Sequence, residues 1–232
     1  MKKIMLLAVA ALMATLSASA QHEPGKWSFD INIGLGASWL NNAEKAVVQF
    51  AGVNSQNLIL DKQLAPSALI GLGVTYQANK ILGLSAGVNY AVQGQGYENL
   101  KVQDMNVKYS NNALELTYVQ VPLMAHLYFY KGWSFNAGLQ TGFLVNADMT
   151  SRVEQDLKRK QTDNIRVDYM DDLKKFDLTI PLGISYEFRG HFVLGAQYNL
   201  GLLPVNKKGN VYEDHETKNG AFYLTLGWKI GL

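Results

Sequence analysis

The 232-residue chain has no cysteine. Disulfides, thiolate-bound metals and a lipid-modified N-terminal cysteine are therefore excluded. An excess of one charge is missing as well. Of the 21 Lys and Arg residues, Lys2 and Lys3 sit in the N-terminal segment, which leaves 19 to balance the 19 Asp and Glu. A chain this close to neutral lacks the basic patch that nucleic acid demands. Past residue 20 there is also no apolar run approaching the roughly 20 residues of a membrane-spanning helix. What the sequence does hold points elsewhere. Its 21 glycines and 11% aromatics suit many strands that carry small residues on one face.

Lys2 and Lys3 precede an apolar segment, Ile4 to Leu16, and Ala18-Ser19-Ala20 places small residues at a cleavage position. This is the layout of a secretory signal peptide, with an apolar core too short to span a bilayer. The expected organisation is a signal over 1–20, removed on export, and one domain over 21–232.

The stretch Ala221 to Leu232 shows the governing pattern. Phe222, Leu224, Leu226, Trp228, Ile230 and Leu232 alternate with Ala221, Tyr223, Thr225, Gly227, Lys229 and Gly231. Side chains alternate across a strand, so one face is wholly apolar and the other small or polar. Seven further segments repeat the split, at about 28–39, 68–77, 82–93, 113–130, 133–145, 176–188 and 191–202. The fourth is the least regular. Leu114 and Leu116 are apolar on the parity that is otherwise polar, for which a bulge or a projection above the membrane is the expected cause. Pro122 removes an N–H from the same strand.

Connections after the second, fourth and sixth segments are about two residues: Asn79-Lys80, Lys131-Gly132 and Arg189-Gly190. Those after the first, third, fifth and seventh are long, at 40–67, 94–112, 146–175 and 203–220. Short–long alternation with an even strand count is the pattern of outer-membrane barrels, with short turns in the periplasm. The expected fold class is all-β, an eight-stranded antiparallel up-and-down transmembrane β-barrel. In lipid every backbone polar group needs a partner, so the last strand should pair with the first.

A soluble barrel would bury the apolar face instead. Three features favour lipid. The second face is rich in Gly, Ser, Asn and Gln, which suits a narrow lumen. Aromatics such as Tyr76, Trp133, Tyr186 and Trp228 gather near the short turns, and Trp39, Phe143 and Phe176 near the long connections, as interfacial girdles do. Charge is almost missing from the apolar face, where a mid-membrane Lys or Arg would cost about 2–4 kcal/mol. On the inner face, Asp30 and Lys229 fall on neighbouring strands near the periplasmic end, with Glu187 at similar depth. An internal ion cluster tying the closure together is expected there, against the alternative that these groups simply reach periplasmic water.

Catalytic chemistry finds little support. His126 is the one histidine expected inside the wall, and Tyr118, Glu115 or Ser134 are the partners a hydrolase site would draw on. No Ser–His–acid spacing backs that reading, and a satisfied lumen histidine is expected. The loop Tyr212-Glu213-Asp214-His215-Glu216 reads as solvated rather than as a metal site. The charged stretch from Ser151 to Lys175 reads as surface charge near lipopolysaccharide phosphates, with room for a short helix. Gly34-Leu35-Gly36 and Gly71-Leu72-Gly73 put glycine on the lumen face rather than forming phosphate loops. No catalytic residue, cofactor or metal is expected, and no enzyme.

Tyr118-Val119-Gln120-Val121-Pro122-Leu123 and the segment from Phe176-Asp177-Leu178 to Tyr186-Glu187-Phe188 resemble strands of the PorT-type outer-membrane β-barrel family of Bacteroidetes. The signal junction at Ala18-Ser19-Ala20-Gln21 is similar to junctions in that group. The resemblance covers the whole domain and implies a Gram-negative outer-membrane barrel. The namesake takes part in type IX secretion, a role that does not transfer by resemblance. Thr225, Gly227, Ile230 and Leu232 resemble the C-terminal signal read by the barrel insertion machinery, with Leu232 where an aromatic residue is usual.

Eight strands leave an interior that side chains fill. The expected function is therefore non-catalytic: a filled barrel acting through long extracellular loops as a structural, adhesive or secretion-accessory component. Its expected partners are outer-membrane lipid and lipopolysaccharide, the insertion machinery, and secretion-system or surface proteins. The alternatives are a small-solute channel and, less favoured, a lipid-modifying enzyme.

Overall fold

A computed structural model describes residues 23–41, 46–48, 58–102, 107–155, 161–188, 192–207 and 216–231. The expected signal over 1–20, the Arg189-Gly190 turn, most of the acidic loop and Leu232 lie outside the described residues.

Eight long strands make the wall: β1 Trp27–Asn41, β2 Ala65–Gln77, β3 Leu82–Tyr97, β4 Val107–Tyr130, β5 Trp133–Gln155, β6 Phe176–Phe188, β7 Phe192–Pro204 and β8 Lys218–Gly231. Each is antiparallel to the next. β8 returns to β1 in one unbroken register, from Ser28↔Gly231 to Asn41↔Lys218. The sheet thus closes on itself as an up-and-down ring, as the alternating pattern requires.

The ring is turned as a lipid-facing wall demands. On the outside, Leu35 is 69% exposed and Leu224 60%, whereas Tyr223 and Tyr118 on the inside are fully buried. Exposed apolar side chains cover every strand from β1 to β8. A bilayer supplies acyl chains to this belt, and ring closure leaves its backbone bonds internal. Aromatic side chains pair near the short turns, with Trp27 on Tyr76, Phe129 on Phe135, Trp133 on Tyr186 and Phe192 on Trp228. Trp39–Tyr198 and Phe143–Phe176 pair at the opposite end. Two girdles result.

Tight turns follow from local chemistry. Lys131 and Gly132 have φ of 31° and 90°. Two positive φ values define the two-residue hairpin whose twist matches its strands, and glycine meets the larger of them without a Cβ clash. The β2–β3 turn is longer than the expected pair and spans 78–81. Asn79 Oδ1 accepts the N–H groups of Ile81 and Leu82 at 2.9 and 3.0 Å, which closes it as an Asx turn.

The wall is taller on one side than the alternation indicates. β4 and β5 run 24 and 23 residues. The short strand Gln161–Asp168 returns along β5, and Leu100–Val102 pairs with the outer end of β4. Much of the expected loop at 146–175 is therefore a β-ribbon, and in the stretch allowed for a short helix residues 151–155 and 161–168 are strand instead. Leu114 and Leu116 stay in phase with Tyr118 and point inward, since the β3–β4 register holds from Leu82↔Leu127 to Tyr97↔Asn112. The bulge lies next door. Thr117 pairs with Asn146 and Tyr118 with Leu144, so Val145 is the extra residue on β5. Both Val145 and Asn146 face outward, and Ala147, Met149 and Val153 turn in. Pro122 is accommodated by a gap. Its pair and that of Val121 drop out of the β3–β4 ladder without a change of register. Pro181 sits in a matching gap of the β5–β6 ladder.

Candidate functional site

Inner-wall residues form layers. Nearest the short turns lies the charged one. Lys229 on β8 donates to Glu187 Oε2 on β6 at 2.8 Å and to the Tyr128 hydroxyl on β4 at 3.2 Å. Their side chains are only 15% and 6% exposed for Lys229 and Glu187. Asp30 on β1 stands directly opposite Lys229 in the register and accepts a hydrogen bond from Thr75 Oγ1 at 2.5 Å. The wall thus gathers Asp30, Glu187 and Lys229 at one level, with Lys229 paired to Glu187 rather than to its cross-strand neighbour.

Together with Ser85, His126 and Asn136 they line a chamber of about 170 Å³. His126 on β4 makes two 2.8 Å contacts there, Nε2 with Ser85 Oγ on β3 and Nδ1 with Asn136 Oδ1 on β5. Ser134 donates to the same Asn136 oxygen, Asn136 Nδ2 donates to Ser185, and the two serine hydroxyls meet at 2.9 Å. An amide oxygen only accepts, so the proton of the neutral imidazole sits on Nδ1. Nε2 is then the acceptor for the Ser85 hydroxyl. Of the partners drawn from sequence for His126, Ser134 touches Asn136 and not the ring. Tyr118 and Glu115 are bound to other groups. The real partners escape a search by local spacing, because three different strands supply them.

The lumen closes farther up. Leu69, Ala91, Ala221 and Tyr223 form a buried apolar layer across it. Asn219 Nδ2 then donates to Asp177 at 2.7 Å and to the Tyr118 hydroxyl at 3.1 Å. Beyond this, Leu40, Tyr97, Tyr109, Leu114, Leu116, Leu144, Met149, Val153, Leu173 and Val205 make a second buried cluster. Here the wall inverts its chemistry. Its inside is apolar, and its outside carries Glu115, Arg152 and Arg166. Arg166 reaches Asp148 at 3.4 Å and Glu115 at 3.7 Å, and Lys108 reaches Glu154 at 3.8 Å.

Thr225 and Gly227 of the C-terminal signal line the chamber and Ile230 lies on the outer face, while Leu232 is outside the described residues. Among the described residues no three His, Asp or Glu side chains converge as metal ligands do.

Residues 19–206 match the family described as "Outer membrane protein beta-barrel domain". No curated protein of similar sequence was found. Among solved structures, the chain is similar to Ail, the attachment invasion locus protein of Yersinia pestis, at 14% identity over 90% of this chain and 100% of that one, with a TM-score of 0.43. It is also similar to Neisserial surface protein A, at 12% over 88% and 96% with a TM-score of 0.41. OprG from Pseudomonas aeruginosa follows at 10% over 91% and 99%, with a TM-score of 0.45.

Proposed function

The chain belongs to the outer membrane protein β-barrel domain family, and from that premise we propose that it is a non-conducting barrel that works through its outer ribbon. One observation carries the reading. The Tyr223 layer and the apolar cluster over it stop the lumen at the long-connection end, which faces the exterior if the short turns are periplasmic. A wall that spends its tallest part outside the membrane, with a dry core under a charged surface, is built to present that surface rather than to pass solutes. The partners we propose are a surface protein or a secretion-system component, with lipopolysaccharide around the girdle. We place the chain among the PorT-type barrels on the two strand motifs around Pro122 and Gly183. A cleaved signal at 1–20 and Bacteroidetes membership are parts of the same proposal.

Planar bilayers holding the purified barrel test it. No steady unitary current is expected, and Tyr118→Ala with Leu116→Ala should introduce one. A steady current from the unaltered protein would move the assignment to a small-solute channel. A photo-crosslinker at Val167, 43% exposed on the ribbon, should capture a partner on intact cells that an inner-wall position does not.

A further inference from the structure

We propose that Ser85 is an acylatable nucleophile, served by His126 and Asn136, for short neutral esters entering from the short-turn end. This goes beyond the surface role and stands or falls separately from it.

The geometry is that of a serine relay. Nε2 of His126 is the acceptor for the Ser85 hydroxyl, and Nδ1–H is held by Asn136 Oδ1, each at 2.8 Å. A base oriented by a third group is the arrangement that activates a serine on unrelated folds. Asn136 is itself locked by Ser134 and Ser185, so the imidazole has one orientation and one tautomer. Ser85, His126 and Asn136 all line a chamber of about 170 Å³, where a small ester could meet the hydroxyl. Entry is placed at the short-turn end. A second cavity of about 130 Å³ lies at the short-turn mouth, and the two share Thr75 and Lys229. Lys229, held by Glu187 and Tyr128, lines the same chamber.

The step balances within these groups. Ser85 Oγ bonds to the ester carbonyl carbon while its proton passes to Nε2, and Asn136 Oδ1 supports the imidazolium through Nδ1–H. The tetrahedral adduct collapses by breaking the bond to the alcohol oxygen, which leaves with the proton from Nε2. Water repeats the sequence and frees Ser85. The size of the chamber restricts the acyl part to a few atoms and the alcohol part to about one ring.

The test uses the mature barrel folded in detergent, its fold checked by heat-modifiable gel migration, and p-nitrophenyl acetate as probe. One acetyl group on Ser85 is expected by peptide mapping, and none in Ser85→Ala. In His126→Gln nitrophenolate release from this site should fall about 100-fold. Asn136→Asp, which keeps an acceptor for Nδ1–H, should retain acetylation, and Asn136→Leu should lose most of it. A folded wild-type barrel with no Ser85 adduct overturns the proposal, as does an equal acetylation rate in folded His126→Gln.

Discussion

Lys229 carries a full charge into a wall that otherwise offers it hydroxyls and amides, and Glu187 neutralises it at 2.8 Å. Both side chains are largely out of water, so the pair is not screened as surface ion pairs are. Asp30 meets a different need. It faces Lys229 across the β1–β8 seam, yet it accepts a hydrogen bond from the Thr75 hydroxyl on β2. The three groups therefore join β1, β2, β6 and β8 at one level. Removing one member of a buried pair strands the other. Lys229→Met is expected to lower the stability of the folded barrel by about 3 kcal/mol, read as a shift in its urea midpoint, and adding Glu187→Gln should restore part of the loss. An unchanged midpoint in the single variant would mean that periplasmic water already solvates Glu187.

Val145 decides what the upper half of β5 does. Below it, odd positions such as Phe143 touch lipid, and above it odd positions such as Met149 enter the cap. Inserting one alanine after Asn146 would throw Ala147, Met149 and Val153 outward, because a one-residue slip exchanges the faces. The expected result is a barrel that still inserts but whose ribbon is cut by protease between 146 and 168, where the wild type resists. Equal resistance would place the ribbon's order in something other than this bulge. The same residue explains what could be read in advance. Eight crossings were legible because lipid forces an apolar outside over about ten residues per strand. Above the membrane that rule reverses, so 146–175 looked like a loop, charged from Ser151 on, although Ile165 and Tyr169 pack on the cap. Parity and depth put Asp30, Glu187 and Lys229 on the inner wall, but not the pairing of Lys229 with Glu187 or of Asp30 with Thr75. The Ser85–His126–Asn136 relay was not legible, since its members lie 41 and 10 residues apart and meet only through the registers of β3, β4 and β5.

For the molecule as a whole, the governing choice is which solvent each stretch of wall meets. In the membrane zone the outside is apolar and the inside polar; over the cap the inside is apolar and the outside charged. One sheet with a single topology thus serves two solvents, and the change falls near the Val145 bulge and the Tyr118 layer. The reversal makes the two zones respond differently to the same substitution. Leu72 lies mid-wall on β2, paired to Ile31 and Val88, and is 51% exposed. Leu64 is 64% exposed but precedes β2 at its outer end. In a bilayer, Leu72→Arg should cost about 2–4 kcal/mol, and Leu64→Arg close to nothing because its charge reaches water. Urea unfolding of the barrel folded into lipid vesicles measures both. If the two substitutions cost the same, the belt around Leu72 does not touch acyl chains, and a soluble barrel becomes the better description.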